Sequence, residues 1–322
     1  MTEAKTLTIF GCCGYIGSSA TEYFLKKGYR VIGIDLLIYN NANVATHLET
    51  YDNFEFYHGS LGDLTLLERL PDSDVVINLA ALVGGPATEK YPELATKINV
   101  VETKINVDFY SKKPVIYLFT STCSNYGTTD TLADETSALL PITPYALQKV
   151  EIEKYISSIT NAVFSPTILR FATAFGVSRR MRRDLLINQF VYDAVNSTPI
   201  TIYGANAWRP FCAVDDFSKV FEALLTAPDK CNGQIFNVGS DQNNLTKSQV
   251  ISIITSKLEI STNLFKTNDA VDPRDYRVNF LKFNSIFPGI QYRSVEQSVE
   301  EMINYYHQTP SVFSTNEEIC FS

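Results

Sequence analysis

Tyr145 and Lys149 are the first residues whose types and spacing could support chemistry. They lie four positions apart in the segment "TPYALQKVEIEKY", where Pro144 opens a predicted helix, so the two side chains share one helical face. A phenol with a pKa of ~10 is a poor base at neutral pH, but a neighbouring ammonium favours the phenolate and lowers that pKa. The pair therefore predicts a tyrosine that takes a proton from an alcohol while a hydride leaves the same carbon.

A run of hydroxyl side chains lies at the end of an apolar segment. The sequence "IYLFTSTCSNYG" changes from large apolar residues to Thr120, Ser121, Thr122 and Ser124. A parallel α/β sheet places its ligands just beyond the carboxyl ends of its strands. We therefore expect this strand end to supply a hydroxyl that hydrogen-bonds the reacting oxygen of the substrate.

A glycine motif, "TIFGCCGYIGSS", predicts a turn that binds phosphate. Gly11 follows the first predicted strand and permits the tight turn, Gly14 lets the backbone approach a pyrophosphate, and Gly17 lets the following helix pack closely on the strand. The N-terminus of that helix faces the negative charge. The motif predicts that a dinucleotide accepts the hydride.

Asp35 indicates which dinucleotide binds. It ends the second predicted strand, "RVIGID", 18 residues beyond Gly17, where a carboxylate can accept hydrogen bonds from both ribose hydroxyls of the adenosine. The same carboxylate would repel a 2′-phosphate, and Leu36 and Leu37 follow where a phosphate would need a basic residue. We therefore predict NAD rather than NADP, and its nicotinamide cation would favour the Tyr145 phenolate further.

The elements that position these motifs alternate between strand and helix. Helical patterns, for example over residues 15–27 and 93–110, separate apolar β-branched runs that predict strands at residues 7–10, 31–34, 54–57, 75–79, 115–119 and 163–169. Continuous apolar strands separated by helices predict an α/β fold with a doubly wound parallel sheet of the Rossmann type, covered by helices on both faces.

The regular alternation weakens after about residue 170. A basic segment, "VSRRMRRD", precedes predicted helices at residues 185–195, 247–257 and 295–306 and short strands at residues 200–203 and 234–238, whereas residues 309–322 have no clear pattern. We predict an NAD-binding Rossmann domain over residues 1–170 and a smaller mixed α/β substrate lobe over residues 171–322, with the two interleaved.

Composition limits the classes of partner. The 322 residues are 45% hydrophobic, enough for a large core, and the net charge of −8 argues against nucleic acid as a partner. No window approaches ~18 consecutive apolar residues, and the first residues lack the basic and apolar regions of a signal peptide, so we expect no membrane contact and a cytoplasmic location. The six cysteines show no CxxC spacing and the three histidines are scattered, so we expect no metal site.

Seven segments along the chain carry a family resemblance. In order they are "GCCGYIG", "NLAALVG", "STCSNYG", "YALQK", "LRFATAFG", "YGANAWRPFCAVDD" and "FNVGS". Together they resemble the extended short-chain dehydrogenase/reductase family, the NAD-dependent nucleotide-sugar epimerases and dehydratases. The resemblance implies NAD as cofactor and a nucleotide sugar as substrate. It also implies that Thr122, five residues before Gly127, is the catalytic hydroxyl beside Tyr145 and Lys149.

The resemblance implies binding residues as well. Those for the cofactor are Gly11, Gly14, Tyr15, Ile16, Gly17, Asp35, Leu36, Ser60, Leu61, Ala80, Ala81, Asn99, Tyr145 and Lys149. For the substrate, Arg209 in "WRPF" corresponds to an arginine that grips the diphosphate, Arg274 in "DPRDY" looks like a second, and Asn188 lies at a common substrate contact. The basic segment with Arg179, Arg180, Arg182 and Arg183 forms either a phosphate funnel or a solvated loop.

The chain departs from the family pattern at two binding positions. Many members carry an aspartate that holds the adenine, and here Ser60 follows Gly59 instead. The "RDF-H" segment common near the substrate becomes "RPFCA", with Pro210 and Ala213. We therefore expect cofactor affinity and sugar contacts that differ from the family's usual ones.

The residues after Thr122 narrow the reaction. A 4,6-dehydratase of this family carries an Asp-Glu pair there, whereas this chain has Cys123 and Ser124, which disfavours dehydration. We predict a nucleotide-sugar 4-epimerase, with a 4-dehydrogenase that releases the keto sugar as the alternative. The segments "LAALVGGP", "FGVSRRMRRDLLINQF" and "DPRDY" resemble a subgroup that includes GDP-heptose 4-dehydrogenases of bacterial capsule synthesis. An NAD-binding regulatory protein is the non-enzyme alternative, although such members generally lose the Tyr and Lys retained here.

The resemblance also implies a homodimer. Family members pair the helix that carries Tyr145 and Lys149, together with the preceding long helix, into a four-helix bundle between subunits. Apolar residues of the predicted helix over residues 93–110 suit a buried helix but could equally face the protein's own sheet; they are Ile98, Val101, Ile105 and Val107.

Overall fold

The computed structural model describes residues 5–159, 163–268 and 272–309. Its strands are β1 (Thr6–Phe10), β2 (Arg30–Asp35), β3 (Phe54–His58), β4 (Val75–Asn78), β5 (Ile116–Thr122), β6 (Thr128–Ala133), β7 (Ser165–Phe171), β8 (Thr173–Phe175), β9 (Ile200–Tyr203), β10 (Trp208–Ala213), β11 (Ile235–Val238), β12 (Asn244–Thr246), β13 (Phe265–Asn268) and β14 (Asp275–Val278).

Helices separate most of these strands. The α-helices are α1 (Tyr15–Lys26), α2 (Ala42–Leu48), α3 (Leu64–Arg69), α4 (Gly85–Lys90), α5 (Pro92–Thr96), α6 (Thr103–Tyr110), α7 (Pro144–Ser158), α8 (Leu186–Val195), α9 (Val214–Thr226), α10 (Lys247–Leu258), α11 (Leu281–Ile286) and α12 (Val295–Gln308). A π-helical segment, Lys97–Glu102, joins α5 to α6, and short 3-10 turns occupy Cys123–Tyr126, Pro228–Lys230, Asp241–Asn243 and Thr262–Leu264.

A seven-stranded parallel sheet forms the centre of the molecule. Its strand order is β11-β7-β5-β4-β1-β2-β3, so the chain winds outward in one direction from β1 and in the other from β4. Side chains of one strand serve both faces: in β4, Val75 and Ile77 pack into one apolar cluster and Val76 into another. This confirms the predicted doubly wound α/β fold. The strand order reverses between β1 and β4, and a sheet of this kind binds ligands in the crevice beyond the carboxyl ends of such a strand pair.

A smaller set of elements lies beside the large sheet. It contains the sheet β12-β10-β8 and the pairs β13-β9 and β14-β6, and helices α8, α10 and α12 enclose a third apolar cluster with Phe175 and Phe211. The chain passes between the two parts more than once, because β11 lies in the large sheet and β6 pairs with β14.

Several element boundaries differ from the sequence-based expectations. The strand β5 continues through Thr122 and so includes the hydroxyl residues Thr120, Ser121 and Thr122, whereas Ser124 lies in the 3-10 turn that follows. The predicted helix over residues 93–110 is divided by the π-helical segment, and α9 was not predicted. Most of the unpatterned segment 309–322 lies outside the described residues. None of the helices in the described ranges has the length and apolar character needed to cross a membrane.

Candidate active site

Helix α7 brings Tyr145 and Lys149 to the carboxyl end of β5. The helix begins where the Thr143 hydroxyl accepts a hydrogen bond from the Ala146 backbone N–H at 3.2 Å, and this cap places Tyr145 in the first turn. One turn later, Lys149 Nζ donates to the Thr120 carbonyl oxygen at 2.7 Å and lies 5.8 Å from the centre of the Tyr145 ring. The structure therefore joins the two sequence motifs at one point.

Burial shifts the pKa of both residues. It raises the pKa of Tyr145 to about 12, against the positive charge of Arg182, which lowers it. It lowers the pKa of Lys149 to about 7, against the negative charge of Glu153. The expectation of a Tyr145 pKa below its ordinary value is therefore not met by the protein alone, because loss of water around the phenol outweighs the charge of Arg182.

Thr122 is the last residue of β5 and is half-buried. Its Oγ1 lies 2.9 Å from Ser124 Oγ and accepts a hydrogen bond from the Ser124 backbone N–H at 3.1 Å. Cys123 points the other way: it is buried, and its thiol donates to the Arg170 carbonyl oxygen at 3.1 Å. Burial raises the pKa of that thiol well above its ordinary value, so Cys123 is a neutral core residue.

A buried ion pair supports the strand end from beneath. Arg170 Nη2 lies 2.7 Å from Glu153 Oε2, both side chains are about as buried as the apolar core, and Nε lies 3.1 Å from each carboxylate oxygen. Ser121 and Asn125 also donate to this carboxylate. Arg170, Glu153 and Asn125 were not expected at the site, and Ser121 was known only as a member of the hydroxyl run. An arginine inside the apolar strand "TILRF" was the available signal, because a buried charge requires a partner.

The glycine turn has the shape that a dinucleotide phosphate requires. Gly11 adopts a φ of +80°, and a Cβ there would lie 2.9 Å from the Ala80 backbone nitrogen, so the loops after β1 and β4 touch. A Cβ at Gly17 would lie 1.9 Å from the Gly11 carbonyl oxygen, which leaves α1 no room for a side chain. Gly14 caps α1 without a side-chain hydrogen bond, so backbone N–H groups of the first turn can meet an anion.

Asp35 ends β2 beside this turn. Its two oxygens accept hydrogen bonds from the backbone N–H groups of Cys13 at 2.9 Å and Leu37 at 2.8 Å, and burial raises its pKa. No basic residue follows Asp35 directly in the sequence. In space, however, Arg180 is close enough for its charge to lower the Asp35 pKa, and its guanidinium lies 4.2 Å from the centre of the Tyr39 ring.

Other cofactor candidates surround the same crevice. Asn99 fixes the loop after β4, since its amide exchanges hydrogen bonds with the Leu82 backbone at 2.7 and 2.9 Å. Ala80 and Ala81 belong to that same loop. The Tyr15 hydroxyl instead donates to the Gly176 carbonyl oxygen at 2.7 Å. The remaining predicted residues follow β2 or β3 or lie in the first turn of α1: Leu36, Ser60, Leu61 and Ile16.

Three cations converge on one carboxylate in the smaller part of the molecule. Asp272 lies 2.7 Å from Arg209 Nη2, 2.6 Å from Lys247 Nζ and 3.3 Å from Arg274 Nε. Burial alone would raise the Asp272 pKa, but Lys247 and Arg209 lower it to about 2. The cluster therefore carries a formal excess of two positive charges. The two predicted arginines come together here, and Lys247 is a member that the sequence analysis missed.

Asn188 lies apart from this cation cluster. Its side chain is fully buried and donates to the Tyr15 hydroxyl at 3.1 Å and to the Arg182 carbonyl oxygen at 2.8 Å, while it accepts from the Gly176 N–H at 3.0 Å. These bonds occupy the amide within the protein itself. They tie α8 to the first turn of α1.

The arginines of the basic segment make separate contacts. Arg179 lies 3.4 Å from Glu22, Arg182 pairs with Asp184, and Arg183 lies 4.4 Å from the centre of the Tyr192 ring. The charge of Arg180 lowers the pKa of Asp35, and that of Arg182 lowers the pKa of Tyr145, so the segment acts electrostatically on both candidate sites.

Two cysteines of the glycine turn lie close to Asp35. The thiols of Cys12 and Cys13 and the Asp35 carboxylate fall within 4.8 Å of one another, with 3.6 Å between the two sulfur atoms. Burial raises the pKa of Cys12 well above its ordinary value, and only a thiolate ligates a metal well. The group lies within the glycine turn, where the Asp35 carboxylate also accepts a hydrogen bond from the Cys13 backbone N–H.

Comparison with known proteins identifies the family. The family described as "NAD dependent epimerase/dehydratase family" matches residues 7–239. An uncharacterized UDP-glucose epimerase, YtcB, of Bacillus subtilis is 27% identical over 79% of this chain and 82% of its own. A UDP-glucuronate 4-epimerase of Thermodesulfobacterium geofontis is 26% identical over 76% of this chain and 78% of its own.

Solved structures share the fold. The dTDP-glucose 4,6-dehydratase of Bacillus anthracis, in complex with NAD, superposes with a TM-score of 0.84 and 22% identity over 98% of this chain and 100% of its own. The UDP-glucuronic acid 4-epimerase of Bacillus cereus, in complex with UDP-glucuronic acid and NAD, superposes with a TM-score of 0.83 and 22% identity. The superposition covers 94% of this chain and 99% of that one. The chain belongs to the NAD dependent epimerase/dehydratase family, which confirms the predicted family, the NAD cofactor and an enzymatic activity.

Proposed function

We propose that the protein is a nucleotide-sugar 4-epimerase, which oxidises the C4 hydroxyl of the sugar and reduces the resulting ketone on its other face. The observation that carries the proposal is the meeting of Tyr145, Lys149 and the Thr122 strand end beside the glycine crevice, with a cation cluster in the smaller part of the molecule. Relatives of similar length are UDP-sugar epimerases, which supports the same substrate class.

Each catalytic side chain has a separate task. Tyr145, whose ionised form the nicotinamide cation of bound NAD would favour, would accept the proton of the sugar C4 hydroxyl and return it to the reduced product. Lys149 is held by the Thr120 carbonyl. It would supply positive charge near the phenol and would hold the nicotinamide ribose of bound NAD. Thr122 hydrogen-bonds the C4 oxygen and orients it. NAD, when bound, accepts the C4 hydride and gives it back.

The cation cluster suits a diphosphate. Arg209 and Arg274 present guanidinium groups that can bind phosphate oxygens in a bidentate manner, and Asp272 holds them in place before the substrate arrives. Because one carboxylate neutralises only one of the three cations, the cluster retains charge for an anionic ligand. The Asn188 amide is already hydrogen-bonded to the backbone of Gly176 and Arg182. We therefore propose that Asn188 affects substrate binding only indirectly, by holding that backbone in place.

The side chains after Thr122 argue against dehydration. Removal of water from a sugar requires a group that donates a proton to the leaving hydroxyl. Cys123 is turned into the core with a raised thiol pKa, and Ser124 is a neutral hydroxyl bonded to Thr122. Neither replaces a carboxylic acid.

A homodimer is proposed through the helices beside the active site. Val101 of the π-helical segment and Leu147 of α7 are 51% and 56% exposed, although each belongs to an apolar residue type. Of the other residues considered for this surface, Ile98 and Val107 pack into the protein's own core and Ile105 is half-buried. Apolar side chains exposed on neighbouring helices favour burial against a second copy.

Two further predictions extend the proposal. We propose that residues 1–170 form the cofactor domain and residues 171–322 the substrate lobe. The two are interleaved, because β11 comes from the second segment of the chain but is a strand of the large sheet. We also propose a cytoplasmic location, in keeping with the thiols of Cys12, Cys13, Cys123, Cys212 and Cys231, which are free in the described part of the chain.

The test is incubation of the purified protein and of Tyr145→Phe with UDP-, GDP- and dTDP-sugars, followed by product identification and NADH absorbance. We expect a C4 epimer with no net NADH. Release of a 4-keto sugar, with the cofactor left reduced, would show that the enzyme is a 4-dehydrogenase. A 4-keto-6-deoxy product would show that it is a 4,6-dehydratase. No product from the whole panel, with NAD still bound, would instead favour a binding protein.

A further inference from the structure

Glu102 lies almost buried at the end of the π-helical segment, with its carboxylate turned toward the end of β3. Its carboxylate accepts a hydrogen bond from the Ser60 hydroxyl, and its other oxygen lies 3.7 Å from Lys97 Nζ. Only 8% of the residue is exposed. A carboxylate in such a position is costly unless it has a task or strong partners, and one hydroxyl and one distant ammonium are weak compensation.

The backbone around Ser60 makes room for this side chain. A Cβ at Gly62 would lie 2.6 Å from Glu102 Cβ and 2.8 Å from its Cα, so any other residue at position 62 would push the helix away. The helix also departs from α-helical geometry here, since residues Lys97–Glu102 form a π-helix. Such segments are rare and occur often at functional sites. The carboxylate of Glu102 therefore lies against the loop after β3, where it contacts Ser60 and where Gly62 leaves space for its side chain.

That loop lies beside the residue proposed to hold the adenosine ribose. β3 pairs with β2 so that His58 is opposite Asp35, and the Gly59 N–H donates to the Asp35 carbonyl oxygen at 3.1 Å. In a doubly wound fold, the first half of the sheet binds the adenosine half of the dinucleotide. With phosphate at the α1 N-terminus after β1 and ribose at Asp35 after β2, the base extends toward the loop after β3.

We propose that Glu102, oriented by Ser60, is a specificity-determining residue that accepts a hydrogen bond from the 6-amino group of the adenine of NAD. A carboxylate offers only acceptors, and the 6-amino group of adenine is a donor, so the two are complementary. A base with a carbonyl at the same position would place two acceptors together and would be rejected. The inference concerns the cofactor and is independent of which sugar the enzyme uses.

The experiment compares the affinity of the folded protein for NADH and for reduced nicotinamide hypoxanthine dinucleotide, in which the 6-amino group is replaced by a carbonyl. Dissociation constants are measured by fluorescence titration without any sugar. Hydrogen bonds to charged groups lead us to expect that wild type binds NADH about 10- to 100-fold more tightly. Glu102→Gln should reduce this ratio to within about threefold, because an amide can donate to the carbonyl as well as accept.

Two variants keep the test decisive. Glu93→Gln removes an exposed carboxylate of α5 and should retain the wild-type ratio. If Glu102→Gln does not fold, Glu102→Asp keeps the charge but withdraws the carboxylate by one methylene and should lower the ratio in part. The proposal is overturned if wild type binds both dinucleotides equally, or if a folded Glu102 variant keeps the wild-type ratio. Since no turnover is measured, failure here leaves the proposed epimerase untouched, and the reverse also holds.

Discussion

The ammonium of Lys149 is anchored to the carbonyl oxygen of Thr120 at 2.7 Å, across the boundary between α7 and β5. The same nitrogen lies 4.6 Å from the centre of the Phe119 ring and 5.8 Å from that of Tyr145. A flexible lysine is thereby fixed at one place beside the catalytic phenol. The fixed position has a thermodynamic cost, because the charged ammonium has lost most of its water.

That cost predicts a pH-dependent stability. Folding lowers the pKa of Lys149 to about 7, so between pH 7 and its ordinary value this side chain binds more protons in the unfolded chain, and its contribution to wild-type stability rises with pH in this window. Lys149→Met removes the titrating group. The free energy of unfolding of the variant minus that of wild type should therefore fall by about 1 kcal/mol per pH unit from pH 7.5 to 9.5. Urea unfolding at both pH values measures it, and a difference that does not change with pH would contradict the shifted pKa.

Removal of the Tyr145 hydroxyl should separate chemistry from binding. Tyr145→Phe keeps the ring and loses only the proton acceptor, so turnover of the preferred nucleotide sugar should fall by about 10²- to 10⁴-fold. NADH affinity should stay within about threefold of wild type, because the glycine turn and Asp35 are unchanged. Single-turnover kinetics and fluorescence titration provide the two readouts. Undiminished turnover would dismiss the proposed site.

Asp35 should govern the choice between NADH and NADPH. Its carboxylate repels a 2′-phosphate, and we expect NADH to bind at least about tenfold more tightly. Arg180 opposes this preference, because the charge that it exerts on Asp35 would attract the 2′-phosphate of NADPH once the Asp35 carboxylate is removed. Asp35→Ala should therefore reduce the ratio of NADH affinity to NADPH affinity. The double variant Asp35→Ala/Arg180→Ala should bind NADPH less tightly than Asp35→Ala alone. Equal affinity of wild type for the two cofactors would remove the argument from Asp35.

The parts of the fold that local patterns encode were predictable. Strand β9 has its expected bounds at residues 200–203, and Gly11, Gly14 and Gly17 form the expected turn. The supporting contacts were not predictable, because they join residues far apart in sequence that no periodicity connects. Lys247 meets Asp272 across 25 positions, and Ser60 meets Glu102 across 42. The sequence shows that a buried charge needs a partner, but only the fold shows which one.

The buried ion pair between Arg170 and Glu153, below the end of β5, should contribute strongly to the free energy of unfolding. Glu153→Gln would leave Arg170 buried without a counter-charge and should lower the free energy of unfolding by about 3–5 kcal/mol. Glu151 provides a matched control two residues away on the same helix. It pairs with Lys104 at 2.6 Å but is half exposed, so Glu151→Gln should cost less than about 1 kcal/mol. Urea unfolding followed by circular dichroism compares them, and equal losses would contradict the difference in burial.

The proposed homodimer rests on apolar side chains exposed where α7 and the π-helical segment lie together. Leu147 is 56% exposed on α7, whose remaining apolar residues, such as Val150 and Ile152, pack inward. A glutamate at position 147 would place a charge in the centre of the proposed interface, and its desolvation would oppose association.

Leu147→Glu should therefore convert a dimer into a monomer in light scattering at micromolar concentration, with an unchanged circular dichroism spectrum. Leu281→Glu is the matched control, because Leu281 is 66% exposed on α11, away from these helices, and its substitution should leave the dimer intact. If wild type is already a monomer, the interface does not exist. If both variants remain dimeric, the subunits associate through another surface, and the exposed leucine of α7 needs a different explanation.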